Sequence, residues 1–299
     1  MNNSNKTKFL NPETVALLDS MALRARLVVE GYIIGHHRSP FHGFSVEFAE
    51  HRSYEPGDEI RHIDWKLFGK TDRLYVKRYE EETNLSAHLI LDISKSMVYK
   101  SSNITKLNYA NTLVAALSYL MIKQQDAVGL VQFSNHVNSF ILPKSRPSHL
   151  RSILDKLDDN KIGEDTQIEK VLHEMAERIL KRGLVILISD LIDDPHKIMN
   201  GLKHFRHNNQ EVIVFQLFDR KELEFDFNNR TKFLDMETGE EITTEPWHIR
   251  TSYKNLLLER QNFFRKSCQE NLIDYFPIVT DQNLDLCITE YLKKRKKLG

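Results

Sequence analysis

Only two cysteines, Cys268 and Cys287, occur in the 299 residues, far apart and outside any Cys-x-x-Cys spacing. That excludes a disulfide framework and a thiolate zinc site, and fits free core thiols in a reducing compartment. Net charge is equally scarce, because 42 Lys and Arg face 42 Asp and Glu. No global field then favours nucleic acid or an anionic membrane surface. Neither the Gly-x-Gly-x-x-Gly nor the Gly-x-x-x-x-Gly-Lys pattern of nucleotide-binding loops occurs. No hydrophobic run reaches the length of a membrane span, and the start, Met1-Asn2-Asn3-Ser4-Asn5-Lys6, lacks the apolar core of a signal peptide. The expectation is a cytoplasmic protein without a transmembrane segment. What is present suffices for folding, since 40% hydrophobic residues over this length support a sizeable core.

The most informative stretch runs from His88 to Met97, His-Leu-Ile-Leu-Asp-Ile-Ser-Lys-Ser-Met. An apolar run of strand length ends in Asp92, and Ser94 and Ser96 follow at alternate positions as the pattern breaks into a polar turn. This reads as the carboxyl end of a buried parallel strand, where open α/β sheets bind ligands. The most hydrophobic run of the chain, Leu184 to Ile188, ends the same way in Ser189-Asp190.

Around these two runs the pattern alternates. Asn11-Pro12-Glu13 opens a helix that should stop near Gly31 or Gly35, with Arg24 and Arg26 on its wet side. Residues 36–82 are loop-rich, with two or three short strands. A long amphipathic helix carries Leu107, Leu113, Leu117 and Met121. Strands are expected at Ala127 to Phe133, Val137 to Leu142 (ended by Pro143), Val212 to Phe218 and Tyr275 to Val279. Helices are expected at His149 to Leu157, from a Thr166 cap through Lys181, at Pro195 to Asn208 and at Pro246 to Glu270. Residues 222–244 insert a hairpin, with Thr238-Gly239 at its turn and Phe233-Leu234 facing Glu241-Ile242. This order predicts an α/β fold with a doubly wound, mostly parallel sheet flanked by helices. The domains expected are residues 1–84, a helix plus a small β-containing segment, and residues 85–299.

Such a sheet would bring Asp92, Ser94, Ser96, Thr166 and Asp190 to one edge on three loops. Hydroxyl and carboxylate oxygens are hard donors suited to Mg²⁺ or Mn²⁺. An ion held by hydroxyls, waters and two aspartates retains affinity for one more carboxylate, supplied by a partner. The plainer account makes Ser94, Ser96 and Thr166 caps and turn residues. It does not explain why all three fall in register with two strand-ending aspartates. Histidines 36, 37, 42, 51 and 62 match no zinc spacing. Asp58, Arg61, Asp64 and Trp65 surround the Pro56-Gly57 turn and read as a salt-bridged docking turn, with a partner-contact surface as the alternative. The basic run Lys293 to Lys297 complements the dipole of a final helix.

The pattern Asp92-x-Ser94-x-Ser96, then Thr166, then Asp190, resembles the von Willebrand factor A fold with its metal-ion-dependent adhesion site. That resemblance implies that Ser94, Ser96 and Thr166 bind the ion directly, with Asp92 and Asp190 acting directly or through water. More narrowly, Ser39-Pro40-Phe41-His42-Gly43, Glu47-Phe48, Arg52 to Asp58, Arg61-His62-Ile63-Asp64-Trp65, Leu74 to Arg78 and Phe233 to Gly239 resemble the signature of the bacterial domain-of-unknown-function family fifty-eight. Its members are usually encoded beside MoxR-type AAA+ ATPases. Gly69-Lys70 departs from the Ala-Arg expected there, and many relatives carry transmembrane segments that this chain lacks. The resemblance implies a non-enzymatic, divalent-cation-dependent interaction module. It would act with a MoxR-type AAA+ ATPase in assembly, activation or chaperoning of client proteins that supply an acidic residue. The alternative is a Mg²⁺-dependent, phosphatase-like hydrolase with Asp92 as nucleophile. Ser94 then stands where such an enzyme would present its second aspartate.

Overall fold

A computed structural model describes residues 12–18, 20–36, 51–54, 65–77, 85–159, 162–163, 167–227, 229–234 and 241–298. The chain divides into two compact units, Met1–Gly35 with Leu85–Leu298, and His36–Asn84. In chain order the elements begin with α1 (Pro12–Ala16), α2 (Met21–His36), β1 (His51–Ser53), α3 (Trp65–Thr71) and β2 (Tyr75–Lys77). The larger unit continues with β3 (Ser86–Asp92), a 3₁₀ turn (Lys95–Val98), α4 (Lys106–Lys123), β4 (Ala127–Phe133) and β5 (Val137–Lys144). Next come α5 (Pro147–Asp158), α6 (Ile168–Arg178), β6 (Leu184–Ser189), α7 (Pro195–His207), β7 (Glu211–Phe218) and α8 (Arg220–Glu224). A hairpin of β8 (Thr231–Leu234) and β9 (Glu241–Thr244) is followed by α9 (Pro246–Glu270), β10 (Asp274–Val279) and α10 (Asp285–Leu298).

Six strands form one sheet in the order β10-β7-β6-β3-β4-β5. Every neighbouring pair is parallel except β4–β5 at the edge, as the helix–strand alternation predicts. Strand β3 lies inside, with Leu91 beside Ile188 of β6 and Asp92 beside Phe133 of β4. Helices cover both faces, which is why β3 and β6 are apolar without alternating. Leu89 and Leu91 face a cluster with Leu113 and Leu117 of α4, whereas Ile90 faces Val171 and Leu172 of α6 and Leu202 of α7. Each fully buried leucine contributes roughly 2 kcal/mol through lost apolar surface.

The N-terminal region departs from expectation at its first helix. The single helix is broken between Ala16 and Met21, where the Arg24 side chain turns inward and donates to the carbonyls of Leu18 (2.7 Å) and Ala16 (2.9 Å). It thereby satisfies the acceptors that end α1. Helix α2 ends at His36, beside the Gly35 stop that the sequence offered, and its Ala25, Val28, Val29 and Tyr32 join the core cluster of the main sheet. The described residues of α1 and most of α2 thus group with the larger unit. Pro143 lies within β5 instead of ending it, which an edge strand permits because one side of its backbone needs no ladder partner.

In the smaller unit β1 and β2 pair antiparallel, with Arg52 opposite Val76. Trp65 opens α3, is 58% exposed and meets Phe68 edge-on. Asp58, Arg61 and Asp64 lie outside the described residues. The expected hairpin is present, with Phe233 opposite Ile242 and Leu234 opposite Glu241, while its Thr238-Gly239 turn lies outside them. Among the described residues no helix is long and apolar enough to cross a membrane. Both cysteines are free and buried.

Candidate metal site

The parallel pairing of β3 with β6 sets Asp92 and Asp190 at neighbouring strand ends, so that Asp190 raises the cost of charging Asp92. Asp92 is fully buried. Its Oδ1 accepts the Ser94 backbone N–H at 2.9 Å and its Oδ2 accepts the Ser189 hydroxyl at 2.6 Å. Burial, and then the charge of Asp190, push the Asp92 carboxyl well above the ordinary carboxylate range, against the pull of these hydrogen bonds.

Ser94 precedes the 3₁₀ turn, yet its hydroxyl makes no capping hydrogen bond. Instead Ser94 Oγ lies 3.0 Å from Ser96 Oγ, and both residues are buried. The capping account therefore does not explain Ser94. Asp92, Ser94, Ser96 and Asp190 are brought to one sheet edge, as the sequence implies. Thr166 lies outside the described residues, although Gly163 and Gln167 on either side donate to Ile93 O (2.9 Å) and Ser134 O (3.4 Å). A Cβ on Gly163 would collide with the Ser134 side chain, so glycine is what lets this segment approach the end of β4.

Asp190 is held from several sides. Gln216 Nε2 donates to its carbonyl at 3.0 Å, and Gln216 Oε1 accepts the Tyr275 hydroxyl at 2.5 Å. Leu191, fully buried, adopts a left-handed backbone with φ of 56°, an uncommon conformation for a branched side chain. Arg260 of α9 donates to the carbonyls of Leu191 and Asp193 and so holds that turn in place.

Sequence reasoning missed the partner of Asp190. Lys106 Nζ donates to Asp190 Oδ2 at 2.8 Å and to Glu222 Oε1 at 2.7 Å, with only 1% of the lysine side chain exposed. Burial opposes its charge, but Asp190 and Glu222 together hold the ammonium above its ordinary value. Glu222 is itself pushed up by burial, in spite of Lys106. Its Oε2 accepts the Asp219 N–H at 2.8 Å in a capping box that fixes α8. A cation in the first turn of a helix opposes the helix dipole, and that anomaly was the available signal for Lys106.

The donor set fits a hard divalent cation. Two hydroxyls and two carboxylates are all oxygen donors, the hard ligands that such an ion takes. Among the described residues no three His, Cys, Asp or Glu side chains converge on one point, so an ion here would depend on the serine hydroxyls. The hydrolase alternative gains nothing from this geometry. Both Asp92 oxygens accept hydrogen bonds and neither faces solvent, which is poor placement for a nucleophile.

A mostly parallel, helix-flanked sheet carrying this motif at its carboxyl edge is a von Willebrand factor A-like fold. Residues 50–262 match the family described as "Protein of unknown function DUF58", and the chain belongs to that family. It is 22% identical over 234 residues to Uncharacterized protein Rv1480 of Mycobacterium tuberculosis, covering 77% of this chain and 73% of that one. Among solved structures it is similar to the conserved hypothetical protein BatB from Bacteroides thetaiotaomicron, at 14% identity and a TM-score of 0.49 over 71% of this chain and 99% of the other. The SpRpn10 VWA domain is also similar, at 14% identity and a TM-score of 0.38 over 69% of this chain and 95% of that one.

Proposed function

We propose that this protein is a non-enzymatic interaction module whose contact with its partner depends on a divalent cation, Mg²⁺ or Mn²⁺, at the end of β3. The observation that carries the reading is the paired, buried hydroxyls of Ser94 and Ser96 beside Asp92, which a merely structural turn does not require. Asp92, Ser94, Ser96 and Asp190, joined by Thr166, would hold the ion. When bound, the ion supplies a Lewis-acidic position that accepts an oxygen ligand. Asp92 anchors the Ser94 backbone, Ser189 orients Asp92, and Gln216 fixes the Asp190 main chain, so the oxygens are organised before any ligand arrives.

The partner chemistry that fits is an exposed Asp or Glu side chain. The working partner in this reading is a MoxR-type AAA+ ATPase, as the sequence resemblance implies, in assembly, activation or chaperoning of a client that offers such a residue. The test is capture on the immobilised protein in Mg²⁺ against a chelator, with bound proteins identified by mass spectrometry. An AAA+ ATPase retained only in Mg²⁺ and lost with Ser94→Ala is the expected result. Equal capture in chelator, or by the Ser94→Ala protein, would contradict the reading.

A further inference from the structure

The buried ammonium of Lys106 does nothing for the proposed ion directly, yet it occupies one oxygen of a residue that would hold it. We infer that Lys106 is a built-in competitor cation, shared between Asp190 and Glu222, which lowers the affinity of the site for its metal ion and leaves the loaded site receptive to an acidic ligand. This rests on the metal reading above and concerns what sets its strength.

With the ion bound, Asp92, Asp190 and Glu222 would together carry three negative charges, of which Lys106, paired with Asp190 and Glu222, offsets one. A divalent ion then brings the cluster to neutrality. Without the lysine the loaded cluster would stay negative and repel an incoming carboxylate. Lys106 is also placed to exert this effect strongly. It is the first residue of α4, fixed by the Thr105 cap that accepts Asn108 N–H at 3.0 Å, and its ammonium lies 5.8 Å from the centre of the Tyr99 ring. A buried charge with so little solvent around it is weakly screened. Glu222 acts as the counterweight. Each share of the ammonium drawn to Glu222 is taken from Asp190, and Glu222 reaches the cluster from α8, across a hundred residues of chain from α4.

A lysine that merely positions Asp190 would make the opposite prediction, since its removal would loosen the carboxylate and weaken the ion. The test is calorimetric titration of Mg²⁺ into wild type, Lys106→Gln and Glu222→Gln proteins, each checked for folding by circular dichroism. The expected result is roughly tenfold tighter Mg²⁺ binding for Lys106→Gln, which loses the competing charge. Glu222→Gln should bind about threefold more weakly, because the whole ammonium then bears on Asp190. Unchanged or weaker binding by folded Lys106→Gln overturns the inference while the metal reading stands. If Lys106→Gln does not fold, Glu222→Gln decides, and equal or tighter binding overturns it. Binding by Lys106→Gln but not by wild type would uphold the competitor role and contradict a metal-dependent wild-type protein. No binding by any of the three overturns both.

Discussion

At the scale of single residues, the clearest consequence outside the candidate site concerns His88. It lies within β3, stacks on Phe140, and its Nδ1 is buried without a hydrogen-bond partner. Burial pushes its imidazole down to about 4. An unfolded histidine titrates near 6.5, so between these values the unfolded chain binds the extra proton. The stability contributed by neutral His88 is therefore full above about pH 6.5 and is lost as pH falls toward about 4, a loss of roughly 2–3 kcal/mol by about pH 4.5. Urea unfolding at about pH 7 and about pH 4.5 should show this loss in wild type and its absence in His88→Leu. An equal loss in both would assign the acid sensitivity elsewhere. The same scale separates what was legible from what was not. Asp92, Ser94, Ser96 and Asp190 could be read because each sits at a fixed offset from an apolar run. Lys106 and Glu222 were far less legible, because Lys106 meets Asp190 across 84 positions and Glu222 across 116.

At the scale of elements, the strands were legible almost residue by residue because both faces of the sheet are covered, so that apolar runs mark them out. The N-terminal helix was misread at its middle. Arg24 has the periodicity of a solvent-facing position, and only the fold reveals that it caps the carbonyls of Ala16 and Leu18. The basic run of α10 likewise does more than balance a dipole. Lys294 bridges Glu211 (2.7 Å) and Asp274 (2.9 Å), and Arg295 pairs with buried Asp126 at 2.6 Å, tying the last helix to the sheet. Helix packing provides a sharper test. A Cβ on Gly201 of α7 would lie 2.6 Å from Leu172 Cβ of α6, whereas one on Gly69 of α3 meets nothing within 4 Å. Gly201→Ala should destabilise the larger unit by about 1–3 kcal/mol despite alanine's helix preference. Gly69→Ala should stabilise α3 by about 0.5–1 kcal/mol. Chemical denaturation reads both, and shifts of the same sign would show that the α6–α7 contact is looser than described.

At the scale of the whole molecule, the account makes the sheet a platform and its carboxyl edge the working surface. The fold class followed from the alternation of elements. The first helices join the main core because α1 meets α4 and the apolar face of α2 enters the same buried cluster, whose other members lie far along the sequence. The central claim is that this edge binds a divalent cation through Asp92, Ser94, Ser96 and Asp190. The most direct measurement is calorimetric titration of Mg²⁺ into metal-free protein, with Asp190→Ala as control and circular dichroism to confirm its fold. The account predicts saturable one-site binding that is lost in the folded variant. At about a hundredfold excess over the dissociation constant, that binding would add about 2.7 kcal/mol of stability to the wild type alone. Absence of binding in wild type, or equal binding by Asp190→Ala, would contradict it.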